Sequence, residues 1–301
     1  MRGRTITRTL ALLIGILTLG GPALAEQHQT RVSHLPQGAR IEASAYPWST
    51  IGKLNNGVGG SCTAFLISPR FALTAAHCLF FRNTRRYLPA QSIHLVLGYE
   101  NQHYSRHYRI SAYYIPETYH PLRPYETLAN DWALLELSTR THHPPVAGQM
   151  LSKLFKIKSE AAVMTAGYSH HTPYAMTADR GCRMLGRSLN GNLLFDTCKA
   201  PAGYSGAPII VSTADKRFSI AGMHVANQLW RTHAIAIAIP IENIWSKIAP
   251  CVQKKKCEFQ VVSAGRDPTA EELLGNLPNL GYKARRLIAS ETPCSTNRSV
   301  C

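Results

Sequence analysis

The chain has 301 residues, with 33 Lys and Arg against 17 Asp and Glu, a formal net charge of +16 and eight cysteines. No C-x-x-C pair occurs, and the adjacent histidines at 142–143 and 170–171 lie on different faces of the chain, which argues against a structural zinc site. The basic charge favours association with an anionic cell envelope or with acidic substrates, although a solvated surface that keeps the protein soluble explains it equally well.

Residues 1–25 have the pattern of a secretory signal peptide. The first eight residues carry three arginines and no acid, an apolar run follows, and the small residues "ALA" at 23–25 precede Glu26. A membrane anchor needs about 20 apolar residues, which this run does not reach. We therefore expect export to the periplasm or the extracellular space, with residues 26–40 as an N-terminal or pro segment. Cleavage would leave a charge of +13, and cysteines in an exported chain predict disulfides.

Residues 41–250 contain short segments rich in Val, Ile, Tyr and Ala, punctuated by Gly, Pro and Asn, without a long helical periodicity. This profile is typical of an all-β barrel or sandwich, and the length allows one all-β domain of about 200–250 residues. Ten strands are predicted, at 49–54, 62–67, 71–76, 93–98, 107–115, 132–137, 161–168, 207–212, 219–225 and 233–239.

The segment "PIENIWSKIAP" at 240–250 is predicted as a helix that ends at Pro250. Residues 251–301 then change in character. They begin with the basic loop "CVQKKKC", and Thr269 with Glu272 three residues on forms a capping box for a short helix. We expect this basic, cysteine-containing C-terminal extension to cover part of the barrel or to dock the protein on a partner.

The four cysteines of the extension allow three disulfide pairings, and the sequence does not choose among them. The working hypothesis is two local pairs, Cys251 with Cys257 and Cys294 with Cys301.

Three short segments carry the side chains of nucleophilic catalysis. His77 lies in "LTAAHC", downstream of "CTAFLISPR", and Asp131 lies in "NDWALLEL" before an apolar strand. Ser205 lies in "GYSGAP". A serine between glycines is by itself a weak indication of a catalytic nucleophile, because flexible turns use the same residues. The prediction therefore rests on the three segments together.

These segments resemble the catalytic regions of trypsin-like (chymotrypsin-fold) serine proteases, in that family's order of His, Asp and Ser. The resemblance covers residues 41–250, taken as the protease domain, and implies two six-stranded antiparallel barrels followed by the C-terminal helix. It implies that His77 is the general base and then acid, that Asp131 orients it, and that Ser205 is the nucleophile. Gly203 and Ser205 would supply the N–H groups of an oxyanion hole.

The same resemblance implies two disulfides. Cys62 would bond Cys78 and close a loop of about 16 residues beside the histidine. Such a cross-link lowers the entropy of the unfolded chain and so stabilises the folded state by about 3 kcal/mol. Cys182 would bond Cys198 and bracket the hairpin "LGRSLNGNLLF", which has Asn-Gly at its tip.

The serine segment departs from pancreatic-type relatives at Tyr204. Those enzymes carry an aspartate there that pairs with a newly cut N-terminal amine, an ion pair that Tyr204 cannot accept. A cut between Arg40 and Ile41 is not favoured, because "RIEASAYPW" matches a segment inside mature relatives. The serine chemistry does not need the aspartate. The segments look most like the bacterial glutamyl-endopeptidase-like branch, whose serine loop also often lacks it.

For the substrate pocket the resemblance implies less. His224, in "AGMHVAN", matches a histidine that helps bind the substrate carboxylate in glutamyl endopeptidases, and Lys199 falls near the pocket base of trypsin-like enzymes. Two cations there would favour an acidic side chain before the scissile bond. Two residues depart from that pattern. Ala200 lies where relatives carry a hydroxyl residue that helps bind the carboxylate, and Asn227 lies where they usually carry a glycine that leaves the pocket open. Cleavage after small apolar residues, or broad specificity, is the open alternative.

The expected function is that of an exported serine endopeptidase that cleaves protein or peptide substrates through an acyl-enzyme, as a monomer and without metal or cofactor. The alternative is a catalytically silent protein of the same fold that binds an envelope or a host surface through its basic charge. The aromatic and basic stretch at 99–114 is typical of a nucleic-acid face. Export argues against nucleic acid as a partner, and the family resemblance makes this stretch two barrel strands.

Overall fold

The computed structural model describes residues 38–142, 162–212, 218–230, 233–254, 260–262 and 284–288. These residues form one α-helix, α1 (Ile241–Lys254), and four short 3₁₀ turns. No helix in these ranges is both long and apolar enough to cross a membrane. The described strands are β1 (Ala39–Arg40), β2 (Ile51–Asn55), β3 (Ser61–Leu66), β4 (Phe71–Thr74), β5 (Phe80–Phe81), β6 (Arg86–Tyr87), β7 (His94–Leu97), β8 (Arg106–Pro116), β9 (Ala133–Leu137), β10 (Ala162–Gly167), β11 (Thr177–Arg187), β12 (Leu194–Asp196), β13 (Pro208–Ser212), β14 (Phe218–Trp230), β15 (His233–Pro240), β16 (Gln260–Val262) and β17 (Ala284–Ile288).

The first barrel is a closed antiparallel sheet of six strands in the order β8-β7-β2-β3-β4-β9, and the pairing of β8 with β9 closes it. In the pair of β4 and β9, Thr74 lies opposite Ala133. The segment that leaves β4 and the segment that enters β9 therefore lie side by side. These two segments carry His77 and Asp131.

The second barrel has the order β11-β10-β13-β14-β15-β12 and is closed by the pairing of β11 with β12. The short strand β1 adds to the edge of β11, where Ala39 lies opposite Ala178. The fold thus includes residues before Ile41, the predicted start of the domain. The two barrels are the architecture that the family resemblance implied.

Alternation of side chains explains why these segments form barrels. In β8, Tyr108, Ile110 and Ala112 are buried, whereas His107 and Arg109, on either side of Tyr108, are exposed. Each fully buried side chain of the size of Ile contributes about 1.5–3 kcal/mol through removal of apolar surface from water. All ten predicted strands are present, nine of them within two residues of their predicted bounds.

The helix α1 continues past the residue at which its end was predicted. Pro250 lies inside the helix, which ends at Lys254, so the prediction of a stop at Pro250 is wrong. A proline removes one backbone donor and disturbs the preceding turn, at a cost of about 3 kcal/mol. One face of the helix is buried at Ile244, Ile248 and Cys251, and the packing of this face on both sides of the proline offsets that cost.

Two short segments of the predicted extension join the first barrel. β17 pairs antiparallel with the second half of β8, and β16 pairs in parallel with β17. Cys251 is disulfide-bonded to a partner outside the described residues. The predicted signal peptide, the capping box of Thr269 and Glu272, and the pairings of Cys257, Cys294 and Cys301 also lie outside the described residues.

Candidate active site

His77 lies just after β4, in a 3₁₀ turn over Ala76–Leu79. The alanine before it is fully buried, whereas the His77 side chain is 29% exposed. Cys78, the next residue, bonds Cys62 on β3, which confirms the predicted pairing. The turn that carries the histidine is therefore tied covalently to a neighbouring strand.

Asp131 directly precedes Trp132 and the strand β9, and its side chain is only 2% exposed. Its Oδ2 accepts a hydrogen bond from Nδ1 of His77 at 2.7 Å, and its Oδ1 accepts one from the backbone N–H of His77 at 2.9 Å. One carboxylate thus fixes both the turn and the ring orientation. With Nδ1 as the donor, the neutral ring keeps Nε2 as a proton acceptor.

The environment of His77 changes its affinity for a proton. Burial by itself lowers the pKa, but the negative charge of Asp131 and the hydrogen bond to it outweigh burial and raise the pKa above the ordinary value of 6.5. The charge of Arg82 acts against this and lowers the pKa. The raised pKa means that Asp131 stabilises the imidazolium that forms when a histidine acts as a general base.

The pH dependence of activity follows from this direction. We expect kcat/KM for peptide cleavage to fall on acidification with a midpoint above 6.5, because only the neutral ring accepts the serine proton. The free energy of unfolding has the opposite pH dependence. The ion pair between protonated His77 and Asp131 stabilises the fold at low pH, and this stabilisation is lost as the pH rises through the pKa of His77 in the folded protein. Initial rates between about pH 5 and 9 measure the midpoint. A midpoint below the ordinary value would contradict the role of the Asp131 charge.

Ser205 lies in the loop between β12 and β13, whose shape depends on two glycines. Gly203 and Gly206 have φ angles of +99° and +85°. A Cβ at Gly203 would lie 2.2 Å from the carbonyl oxygen of Tyr168, and one at Gly206 would lie 2.1 Å from that of Thr63. Neither position accepts a side chain, so the loop requires glycine on both sides of the serine.

The backbone N–H groups of this loop alternate between bonded and available. Those of Tyr204 and Gly206 donate to backbone carbonyls at 2.9 and 2.8 Å. Among the described residues, no acceptor bonds the N–H of Gly203 or that of Ser205. Two available N–H groups on one loop, two residues apart, are the kind of donors that an oxyanion hole requires.

Backbone contacts place Ser205 beside the histidine turn. Its carbonyl oxygen accepts the N–H of Thr63 at 2.9 Å and lies 4.0 Å from Sγ of Cys78, the residue after His77. The hydrogen bonds within the described ranges do not include one between the Ser205 hydroxyl and Nε2 of His77. Such bonds are often long without substrate and tighten when it binds.

Thr63 contributes to the site in a way that the motifs did not indicate. Its buried hydroxyl donates to the carbonyl oxygen of Gly203 at 2.8 Å and accepts the N–H of Tyr168 at 3.0 Å. Since its backbone also bonds Ser205, one strand residue of the first barrel holds both residues that would supply oxyanion donors. A threonine within "CTAFLI" is an ordinary strand residue, so the sequence carries no signal for this role.

Tyr204 is buried and anchored. Its side chain is 1% exposed, and its hydroxyl donates to the carbonyl oxygen of Thr177 at 2.6 Å and lies 2.7 Å from Oγ1 of the same residue. Burial raises the pKa of the phenol, so it remains a neutral donor. A hydrogen bond into β11 therefore holds this loop, where an aspartate ion pair does so in pancreatic-type relatives.

The Tyr204→Phe variant tests this anchor. It leaves the buried carbonyl of Thr177 without its donor, so we expect the free energy of unfolding to fall by about 1–3 kcal/mol. We expect kcat/KM to fall by up to about tenfold, since the loop carrying Ser205 loses a tie. Urea unfolding and initial rates measure both effects. Tyr125→Phe, at a side chain that is 86% exposed, is the matched control and should change neither. Equal stability of the two variants would refute the anchoring role.

His224 is buried rather than open to a pocket. Its side chain is 2% exposed, Nε2 bonds Oδ2 of Asp196 at 3.0 Å, and Nδ1 lies 3.3 Å from Oγ1 of Thr165. Both ring nitrogens thus have protein partners. The predicted pocket residue Lys199 is exposed, and its backbone N–H donates to Asp179 at 2.9 Å.

Asn227 joins the two segments predicted to line the substrate pocket. β14 bulges between His224 and Ala226, and just beyond the bulge the Asn227 side chain donates to the carbonyl oxygen of Ala200. Ala200 is 3% exposed and leads into the serine loop. This contact bridges β14 and the chain before Ser205.

The described residues contain two clusters of three potential metal ligands, and both include disulfide-bonded cysteines. Since Cys182 also bonds Cys198, as predicted, no cysteine in either cluster offers a thiolate. The clusters are Cys62, His77 and Cys78, and Asp196, Cys198 and His224.

The two barrels, the His77–Asp131 pair and the glycine-flanked serine define a protein of the chymotrypsin-like class. Residues 36–244 match the family model described as Trypsin, and the chain belongs to the trypsin family. It is 36% identical to neutrophil elastase of Mus musculus over 96 residues, which are 32% of this chain and 31% of that protein. The match thus spans about a third of that relative.

A solved structure of a Glu endopeptidase in complex with MPD has a similar fold. It aligns with a TM-score of 0.57 and 18% identity, over 72% of this chain and 98% of that one. At this identity, the similarity concerns the fold.

Proposed function

We propose that the protein is an exported serine endopeptidase that hydrolyses peptide bonds with a triad of Ser205, His77 and Asp131. Ser205 attacks the scissile carbonyl while His77 takes its proton and then delivers it to the leaving amine. Asp131 stabilises the imidazolium, and the N–H groups of Gly203 and Ser205 bind the oxyanion. Water then hydrolyses the acyl-enzyme.

One observation carries this proposal over a catalytically silent protein of the same fold. The N–H groups of Gly203 and Ser205 have no acceptor among the described residues, although their neighbours in the loop are bonded. Two backbone donors of one loop that have no protein acceptor among the described residues are available to a substrate oxygen, as an oxyanion hole requires. A developing oxyanion supplies the missing acceptor.

For primary specificity, the surroundings of His224 favour a small or apolar side chain before the scissile bond over an acidic one. Its ring nitrogens already have Asp196 and Thr165 as partners, and the carboxylate of Asp196 would repel a substrate carboxylate. Asn227 spans to Ala200 and narrows the space for a side chain.

Export rests on the pattern of residues 1–25 and on two disulfides, which persist in oxidising compartments. The proposed location is the periplasm or the extracellular space. The proposed substrate is a protein or peptide, and the protein acts as a monomer that associates with anionic envelopes through its basic charge.

A fluorophosphonate probe tests the proposal on the processed full chain. We expect one label on Ser205, absent in Ser205→Ala and in unfolded protein. Absence of label in folded, processed protein would instead support the silent protein that binds an envelope or a host surface.

A diverse peptide library, with product termini read by mass spectrometry, then reports specificity. Cuts after small residues agree with the contact between Asn227 and Ala200. Cuts after Glu or Asp would instead support the predicted role of His224 and Lys199 in binding an acidic side chain.

A further inference from the structure

Three arginines lie on the hairpin that directly follows the histidine turn. This arginine hairpin, residues 80–87, consists of β5, β6 and the turn between them. Arg82, Arg85 and Arg86 are all exposed. Three exposed cations thus lie within five residues, on the hairpin that directly follows the turn carrying His77.

The base of the arginine hairpin is firmly packed. The rings of Phe80 and Tyr87 meet edge to face with centroids 5.2 Å apart, and the N–H of Leu88 donates to the carbonyl oxygen of Leu79 at 2.8 Å. Burial, and then the charge of Asp131, raise the pKa of Tyr87, which places the base within electrostatic reach of the catalytic pair. The arginines therefore stand on a fixed support.

The charge of the arginine hairpin is not neutralised by the described part of the protein. None of its three arginines forms an ion pair with a described residue, and Arg82 acts on His77 by lowering its pKa. Elsewhere, exposed arginines do find carboxylates. These pairs are Arg40 with Glu100, Arg70 with Glu136, Arg123 with Glu126, and Arg187 with Glu242.

The tip of the hairpin carries an arginine at a position that favours other residues. Arg85 has a φ angle of +55°, and its N–H closes the turn onto the carbonyl oxygen of Arg82 at 3.3 Å. Glycine or asparagine adopts this left-handed conformation readily, whereas a long side chain costs about 1–2 kcal/mol. A cation in an unfavourable conformation, on the hairpin that directly follows the His77 turn, favours a functional use of its charge.

We propose that the arginine hairpin is a subsite for acidic side chains in the part of a protein substrate that follows the scissile bond. The assignment rests on the proposed protease function. Because His77 delivers a proton to the leaving amine, the chain that continues from that amine passes His77 and the hairpin joined to it. Guanidinium groups bind carboxylates through paired hydrogen bonds. The subsite is separate from Lys199 and His224.

Peptides with Glu, Gln or Lys at each of the three positions after a fixed cleavage site test the subsite. At low ionic strength we expect kcat/KM for the best Glu peptide to exceed that for its Gln counterpart about two- to fivefold, and the ratio to shrink at about 0.5 M salt. Replacement of all three hairpin arginines by glutamate should abolish or reverse the preference. The control with Arg106→Glu, Arg109→Glu and Arg140→Glu has the same net charge at other exposed positions and should retain it.

A binding measurement separates this proposal from the protease proposal. In the Ser205→Ala chain, fluorescence anisotropy of a labelled Glu-rich peptide should show affinity that falls about tenfold with the hairpin variant and stays unchanged with the control. If the wild-type chain takes no fluorophosphonate label but binds this peptide through the hairpin, the protease proposal fails and the acidic-peptide site stands.

Three results would overturn the subsite. One is cleavage without a preference for Glu after the bond, and another is an equal effect of the hairpin and control variants. The third is hairpin-dependent binding to phosphatidylglycerol vesicles with no preference for the Glu-rich peptide, which would assign the arginines to a membrane surface.

Discussion

Ser205→Ala is expected to lower kcat for peptide cleavage about 10⁶-fold. The substitution removes the atom that would form the acyl-enzyme, so the covalent route is closed, while the N–H groups of Gly203 and Ser205 remain. What persists is the weaker stabilisation of a direct attack by water. Purified wild-type and variant chains are compared with an internally quenched peptide that contains a mapped cleavage site.

The matched control is Ser212→Ala, at an exposed serine on β13 of the same barrel, which should retain wild-type activity. Circular dichroism and thermal unfolding establish that both variants are folded. A Ser205→Ala protein that keeps activity within about tenfold of the wild type would remove Ser205 from the mechanism.

Asp131→Asn is expected to lower kcat about 10⁴-fold. The carboxylate accepts two hydrogen bonds from His77, one from the ring and one from the backbone. An amide keeps the size of the side chain, but its NH₂ group can donate to Nδ1 and stabilise the tautomer with a proton on Nε2, which cannot accept the serine proton. Loss of the charge also lowers the pKa of His77, so residual activity should extend to lower pH.

Asp196→Asn is the matched control because it changes the other buried carboxylate that bonds a histidine, His224. We expect this variant to lose stability and to show a much smaller fall in kcat than Asp131→Asn. Equal falls in kcat in the two variants, with folding verified by thermal unfolding, would show that loss of either carboxylate–histidine pair disrupts the site. Asp131 would then have no special role.

Each barrel contributes part of the candidate site. The first barrel supplies His77, Asp131 and the hydroxyl of Thr63, and the second supplies the loop with Gly203 and Ser205. The hydroxyl of Thr63 crosses to Gly203 and its N–H crosses to Ser205. These bonds tie the loop that carries Ser205 to β3 of the first barrel, so contacts between the barrels contribute to the geometry of the candidate site.

The sequence by itself determined the strands and the identity of the candidate catalytic residues. Strands alternate buried and exposed side chains with a period of two, and this local pattern can be recognised in the sequence alone. The segments around His77, Asp131 and Ser205 are short and contiguous, so their resemblance to a known family is visible in the sequence. The same resemblance implied the disulfides Cys62–Cys78 and Cys182–Cys198, and both are present.

Only the tertiary structure decided which partners surround these residues. The bond of Tyr204 to Thr177, the burial of His224 against Asp196 and the reach of Thr63 to Gly203 join segments 27 to 140 residues apart. The course of α1 beyond Pro250 likewise depends on burial against the barrels. Hydrogen-bond partners and burial depend on which segments the fold brings together, and a local pattern in the chain does not contain that information.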